Sequence, residues 1–137
     1  MTEIKPDKII IVDNDPLPKG KDWVYLYLTV DSMTHHLVEL SGNTKLPPIK
    51  GHFIFPTPQE EYAIKQATTF GGKDKFDSTK FVLKIKVRRA YISMQVAHAY
   101  GGESYQEYWL ARSEIDRFNK NIDGITTYRI VKNDFIP

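Results

Sequence analysis

The sequence predicts a single domain of the α+β class, and three observations carry that expectation. The chain has 137 residues, inside the roughly 100–200 that make one domain, and at that size folding hides on the order of two thirds of the unfolded surface. Its composition, 41% hydrophobic and 26% charged, is that of a folded chain rather than a disordered or collagen-like one. Strand-period and helix-period segments then follow one another without a regular βαβ rhythm, which favours α+β over a doubly wound sheet. No repeat, low-complexity block or internal linker interrupts them.

Lys8-Ile9-Ile10-Ile11-Val12-Asp13 reads as a β-branched strand, within an N-terminal extension over residues 1–22 that ends in the Pro18/Gly20 turn. Trp23 to Val30 alternates: Val24, Leu26, Leu28 and Val30 share a core face, while Trp23, Tyr25, Tyr27 and Thr29 share a face that covers a neighbouring strand or a cleft. Asp31 or Ser32 caps a helix that runs to Ser41 and stops at Gly42, with Leu37, Leu40 and Met33 expected inside. Pro47-Pro48 makes the next stretch a loop. A short strand Gly51–Phe55 leads to Thr57-Pro58-Gln59-Glu60, which reads as a capping box with proline at the first helical position. That helix continues to about Phe70 with Ala63, Ile64, Ala67 and Phe70 as its buried stripe.

After a polar turn at Gly71–Lys75, Phe81, Leu83, Ile85 and Val87 alternate with Lys80, Val82, Lys84 and Lys86, a half-buried strand with a basic outer face. Tyr91 to Val96 and Tyr105 to Leu110 read as strands on either side of a Gly101-Gly102 loop. A helix over about Arg112 to Asn121 places Ile115, Phe118 and Ile122 inside and Gly124 beyond its end. Ile125 to Lys132 closes the chain as a strand.

The absence of cysteine removes disulfides, thiolate zinc sites, iron–sulfur clusters and a cysteine nucleophile together. The longest aliphatic run, Ile9 to Val12, is far short of the ~20 residues that cross a bilayer. With no secretory signal pattern at the start, the expectation is a cytoplasmic protein with no membrane partner. Adjacent His35 and His36 point about 100° apart on a helix, and neither they nor His52 and His98 form a metal-ligand spacing, so no metal is expected. Neither glycine pair lies in a phosphate-loop frame, and there is no GxSxG elbow.

Two segments carry further chemistry. Lys84, Lys86, Arg88 and Arg89, followed by Tyr91, form the densest basic stretch. It fits a nucleic-acid surface, but the small net charge favours a solvated outer strand whose lysines discourage edge pairing. In the second segment, alternation places Tyr105, Glu107 and Trp109 on one face of a strand, with Tyr108 and Leu110 on the other. A carboxylate between two large aromatics is either a solvated glutamate or a fixed negative charge set opposite a developing cation.

Gln106-Glu107-Tyr108-Trp109-Leu110, then Phe118-Asn119 and Asn121-Ile122-Asp123-Gly124, resembles the C-terminal signature of small bacterial proteins named "ADP-ribosylation/crystallin J1", which reads EYWIPAEELEEFN followed by NIVG. Phe53-Ile54-Phe55-Pro56 with Glu60-Glu61-Tyr62-Ala63 resembles their middle segment, and Leu26-Tyr27 their opening LYR. The likeness spans about Tyr25 to Ile130 and is dense from Glu107 onward. It implies an ADP-ribosyltransferase fold over residues 1–137, two small packed curved sheets with flanking helices. Enzymes of that class cleave the nicotinamide–ribose bond of NAD through an oxocarbenium-like transition state.

By the resemblance, Glu107 would stabilise the ribosyl cation as the catalytic residue. Tyr27, Thr29, Phe53, Phe55 and Tyr62 would bind NAD, and the loop ending in Tyr105 and Gln106 would recognise a protein or nucleic-acid acceptor. The chain departs from the family at two positions. Leu28 stands where the first motif offers Arg or His, and leucine neither donates a hydrogen bond nor pairs with phosphate; a charge-assisted contact of that kind is worth on the order of 1.5–3 kcal/mol. Tyr27, Thr29 and Arg112 are the nearest candidates to compensate. Tyr105 stands two residues before Glu107, where members commonly carry Glu or Gln. Two functions follow: an NAD-dependent ADP-ribosyltransferase, or a catalytically inactive module of that fold that contacts a protein partner through its aromatic cleft.

Overall fold

The computed structural model of the chain describes residues 17–49, 51–70, 79–99 and 105–131. The expected Lys8–Asp13 strand, the Gly71–Lys75 turn and the Gly101-Gly102 loop lie outside those residues. The fold is mixed α+β, with several small antiparallel sheets and four helices among the described residues.

The largest sheet has three antiparallel strands in the order β1 (Trp23–Val30), β3 (Thr79–Arg88), β7 (Ile122–Val131). β1 is fully in register with β3 from Trp23 opposite Arg88 to Val30 opposite Phe81. The register of β3 with β7 shifts between Lys86 and Val87. Alternation decides its inner face: Val24, Leu26, Leu83, Ile85 and Val87 are buried in the main core with Tyr108, Leu110, Ile115 and Phe118. Each fully buried aliphatic there contributes about 1.5–3 kcal/mol relative to exposure.

The second face is also partly covered. Val82, expected outside, is 0% exposed because α2 (Glu60–Phe70) packs Ala63 and Ala67 against it, joined by Tyr27, Ile64, Tyr128 and Ile130. The Phe70 side chain, also expected in that stripe, lies outside the described residues. β3 is the central strand, so its lysines do not guard an edge, and Lys84, Lys86 and Arg88 give its outer face a basic character.

α1 (Ser32–Leu40) is capped as expected: Asp31 Oδ1 accepts from the Thr34 N–H at 2.8 Å. It ends on Gly42 at φ +79, with the Gly42 N–H donating to Glu39 O and the Asn43 N–H to Val38 O, the paired bonds of a Schellman turn. Its rotation differs from the expected one. Val38 is buried, while Met33, Leu37 and Leu40 are exposed, Leu40 by 70%. The inward face is set instead by Val38 and by His35, whose ring stacks on Phe81 at 3.9 Å.

Three other expectations are revised. Tyr91–Val96 is not a strand: α3 (Arg89–Ile92) turns the chain and buries both Tyr91 and Ile92. The Arg88 N–H donates to Asn121 O and the Arg89 N–H to Asp22 O, so the chain leaves the ladder there. The strand expected over Tyr105–Leu110 breaks at Trp109. β5 (Gln106–Tyr108) pairs with β4 (Ala97–Ala99), whereas β6 (Leu110–Ala111) pairs with β2 (Phe53–Ile54). The helix expected over Arg112–Asn121 is a 3₁₀ turn, Arg112–Glu114, followed by α4 (Ile115–Lys120). Ile122 and Gly124 already belong to β7, so Gly124 is not a helix terminator.

Thr57 links the pieces. Its backbone exchanges two hydrogen bonds with Tyr27 (2.7 and 2.9 Å), and its hydroxyl donates to Gln106 O at 2.6 Å. The hydroxyl also accepts from the Gln59 N–H at 3.1 Å. The expected capping-box threonine is therefore a buried stitch between β1 and β5, and the helix starts at Glu60.

Candidate functional site

Where β1 ends and turns into α1, the chain leaves a hollow of about 670 Å³, within the ~300–1,000 Å³ of small-ligand sites. Leu28, Thr29 and Val30 form its floor, Met33 and Leu37 one wall, Leu46 to Ile49 another, and Phe53, Ile54 and Phe55 the third. Two of the walls and the floor are held by identifiable bonds. The proline-containing loop has no ladder of its own, so Asn119 replaces one: its Nδ2 donates to Leu46 O at 3.0 Å and its Oδ1 accepts from the Leu46 N–H at 2.9 Å. The β2 wall is held by its pairing with β6 and by Arg112, whose Nε donates to Gly51 O at 3.0 Å. Thr29 fixes the third contact, donating its hydroxyl to Ala63 O at 2.6 Å.

The lining is largely apolar, with Thr29, Asp31, Thr34 and Gln66 as its polar side chains; among the described residues it includes no Lys, Arg or His. Exposed Met33, Leu37, Phe53 and Phe55 rim it, and Trp109 extends the apolar surface outward. The Phe55 and Trp109 rings meet edge to face at 6.2 Å, and Phe53 lies 6.4 Å from Trp109.

Glu107 sits behind that aromatic wall. It is 6% exposed, on β5 opposite His98 of β4. Trp109 Nε1 donates to its Oε1 at 3.1 Å, and the Tyr62 hydroxyl approaches its Oε2 at 3.5 Å. His98 stacks on the Trp109 ring at 4.1 Å. The carboxylate is thus placed by aromatic donors, and it is not among the residues that line the hollow.

Six of the eight sequence-expected site residues therefore fall into two groups. Thr29, Phe53 and Phe55 converge on the hollow, together with Leu28. Tyr62, Tyr105 and Glu107 form a second cluster: Tyr62 and Tyr105 stack at 4.7 Å, and the Tyr105 hydroxyl donates to Glu61 Oε2 at 3.2 Å. Lys65 lies 5.5 Å from the Tyr105 ring centre. Gln106 is engaged inside the fold, its N–H donating to Gln59 Oε1 at 2.7 Å. Tyr27 packs under α2, where burial, aided by the Glu60 charge, raises its pKa.

Met33 and Leu37 are the site residues that sequence reasoning placed elsewhere. Their apolar stripe was legible, but a stripe does not tell a core from a hollow. Among the described residues, no three His, Asp or Glu side chains group as metal ligands, and no helix is long and apolar enough to cross a membrane. Comparison of the chain with protein-family models, with curated proteins and with solved structures finds no match.

Proposed function

We propose that this chain is a catalytically inactive module with an ADP-ribosyltransferase-like fold that docks an apolar segment of a protein partner in its hollow. One observation carries the reading: the hollow is rimmed by the large, exposed apolar side chains of Met33, Leu37, Phe53 and Phe55. Aromatic and aliphatic anchors fit such a site, whereas Asp31 in its lining would repel a pyrophosphate. Leu28 on the floor supports the same reading, since it offers no group to a ribose or phosphate.

The test is selection of binders from a random-peptide library, followed by titration of the selected peptides. The reading expects peptides with large apolar anchors whose affinity falls at least tenfold in Leu37→Lys and in Phe55→Lys, the two variants remaining folded by circular dichroism. Selected peptides without such anchors, or binding indifferent to both substitutions, would remove it.

A second reading is favoured by a different observation. Glu107 is buried, oriented by two aromatic donors, and shares Trp109 with the Phe53/Phe55 wall, a setting in which a fixed carboxylate stabilises a ribosyl cation. On this reading the chain transfers ADP-ribose from NAD to a protein or nucleic-acid acceptor. Nicotinamide release by the wild type, lost in Glu107→Gln, would establish it in place of the docking module.

A further inference from the structure

Among the described residues, one half of the outer face of the three-stranded sheet is covered and the other is not. α2 lies over Tyr27, Val82 and Tyr128. The other half presents Lys84, Lys86 and Arg88 at successive outward positions of β3, opposite Tyr27, Tyr25 and Trp23 of β1. The cations lie over the rings: Lys84 Nζ is 4.5 Å from the Tyr25 ring centre, and the Arg88 guanidinium is 4.6 Å and Lys86 Nζ 5.6 Å from that of Trp23. On β7 the residues opposite Lys84 and Lys86 are Thr126 and Gly124, both small, and a side-chain carbon added at Gly124 would meet nothing within 4 Å. The result is a shallow trough with an aromatic row, a cationic row and an open side.

We propose that this trough binds single-stranded nucleic acid, with bases stacking on Tyr25 and Trp23 and phosphates following Lys84, Lys86 and Arg88. Two facts separate it from a merely solvated face. Because β3 is the central strand, its lysines cannot be protecting an edge. Cations at alternate positions of one strand recur every ~6.7 Å, close to one nucleotide of an extended strand, beside rings that stack on any base. Asp123 holds Lys86 at 3.2 Å, so Lys86 is a cation shared with an acid, while Lys84 and Arg88 form the two ends of the row. An acidic peptide would satisfy the charge but would leave the aromatic row without a purpose.

The experiment is fluorescence anisotropy of a labelled oligothymidylate titrated with the full chain at several salt concentrations. Two or three neutralised phosphates predict that log affinity falls with log salt at a slope of about −1.4 to −2. The double variant Lys84→Gln/Arg88→Gln should flatten that slope to about −0.7 or less and weaken binding by roughly tenfold or more at low salt. Tyr25→Ala should weaken it on the order of tenfold and Tyr25→Phe restore it, while Arg117→Gln on α4 changes nothing. Circular dichroism confirms folding of each variant. Absence of binding at low salt, binding unaffected by these changes, or displacement by polyglutamate at equal charge would overturn the proposal.

Discussion

Asn119 illustrates how much one side chain can hold in place. Its amide replaces both backbone bonds of Leu46, a residue 73 positions away that is itself buried on the wall of the hollow. Asn119→Ala leaves a buried donor and acceptor without partners and should destabilise the fold by about 1–3 kcal/mol, read as a lower urea midpoint with unchanged slope. An unchanged midpoint would mean that the loop is held by other contacts. No sequence pattern could have shown this clamp, because local spacing carries no information about a partner so distant. Glu107 was legible in part. Alternation along its strand separates it from Tyr108 and Leu110, and those two are indeed core. The aromatic donors that occupy its carboxylate, and its place behind the wall, depend on how β5 meets α2, which alternation does not encode.

At the scale of elements, α1 marks the limit of periodicity. Its boundaries and both caps were readable, since Asp31 and Gly42 act through bonds to neighbours in sequence. Its rotation was not: two stripes are apolar, and tertiary packing chose Val38 over Met33, Leu37 and Leu40. Val38→Ala should therefore cost about 1–3 kcal/mol, whereas Leu40→Ala stays within about 0.5 kcal/mol. Chemical denaturation of the two variants checks the rotation directly, and a reversed order would reinstate the stripe read from spacing. The break at Trp109 was hidden for a related reason. A strand that changes partner midway keeps its alternation, so Tyr105 to Leu110 reads as continuous although β5 and β6 belong to different ribbons. Tyr91 to Val96 misleads in the other direction, because β-rich residues were folded into a turn by the bonds that Arg88 and Arg89 make on leaving β3.

Across the whole molecule, three tyrosines tie stability to alkaline pH. A hydrogen bond to Glu60, aided by burial, pushes the Tyr128 pKa up to about 12. Burial and a 2.9 Å bond to Glu114 raise that of Tyr91, and burial raises that of Tyr27. Unfolded tyrosine ionises near 10. Above that pH the unfolded chain gives up protons that the folded chain keeps, so stability present below pH 10 falls as pH rises towards 12 and beyond. Urea midpoints taken across that window should decline, and Tyr128→Phe should lessen the decline; a flat profile would contradict these placements. Tyr27, Tyr128 and Thr57 lie around α2, which joins the three-stranded sheet to the ribbons bearing Phe53, Glu107 and Trp109. The hollow and the carboxylate are therefore parts of one body with different surroundings, the first open and apolar, the second enclosed by aromatic rings.

On the proposed function, this arrangement docks apolar groups and does not hold NAD. Titration of NAD into the isotopically labelled chain, followed by its backbone amide resonances, distinguishes the two cases. Docking of apolar groups alone leaves no saturable shifts at the hollow or at β5. A saturable set of shifts including Thr29, Phe55 and Glu107 would contradict it, since those residues would then share one nucleotide site.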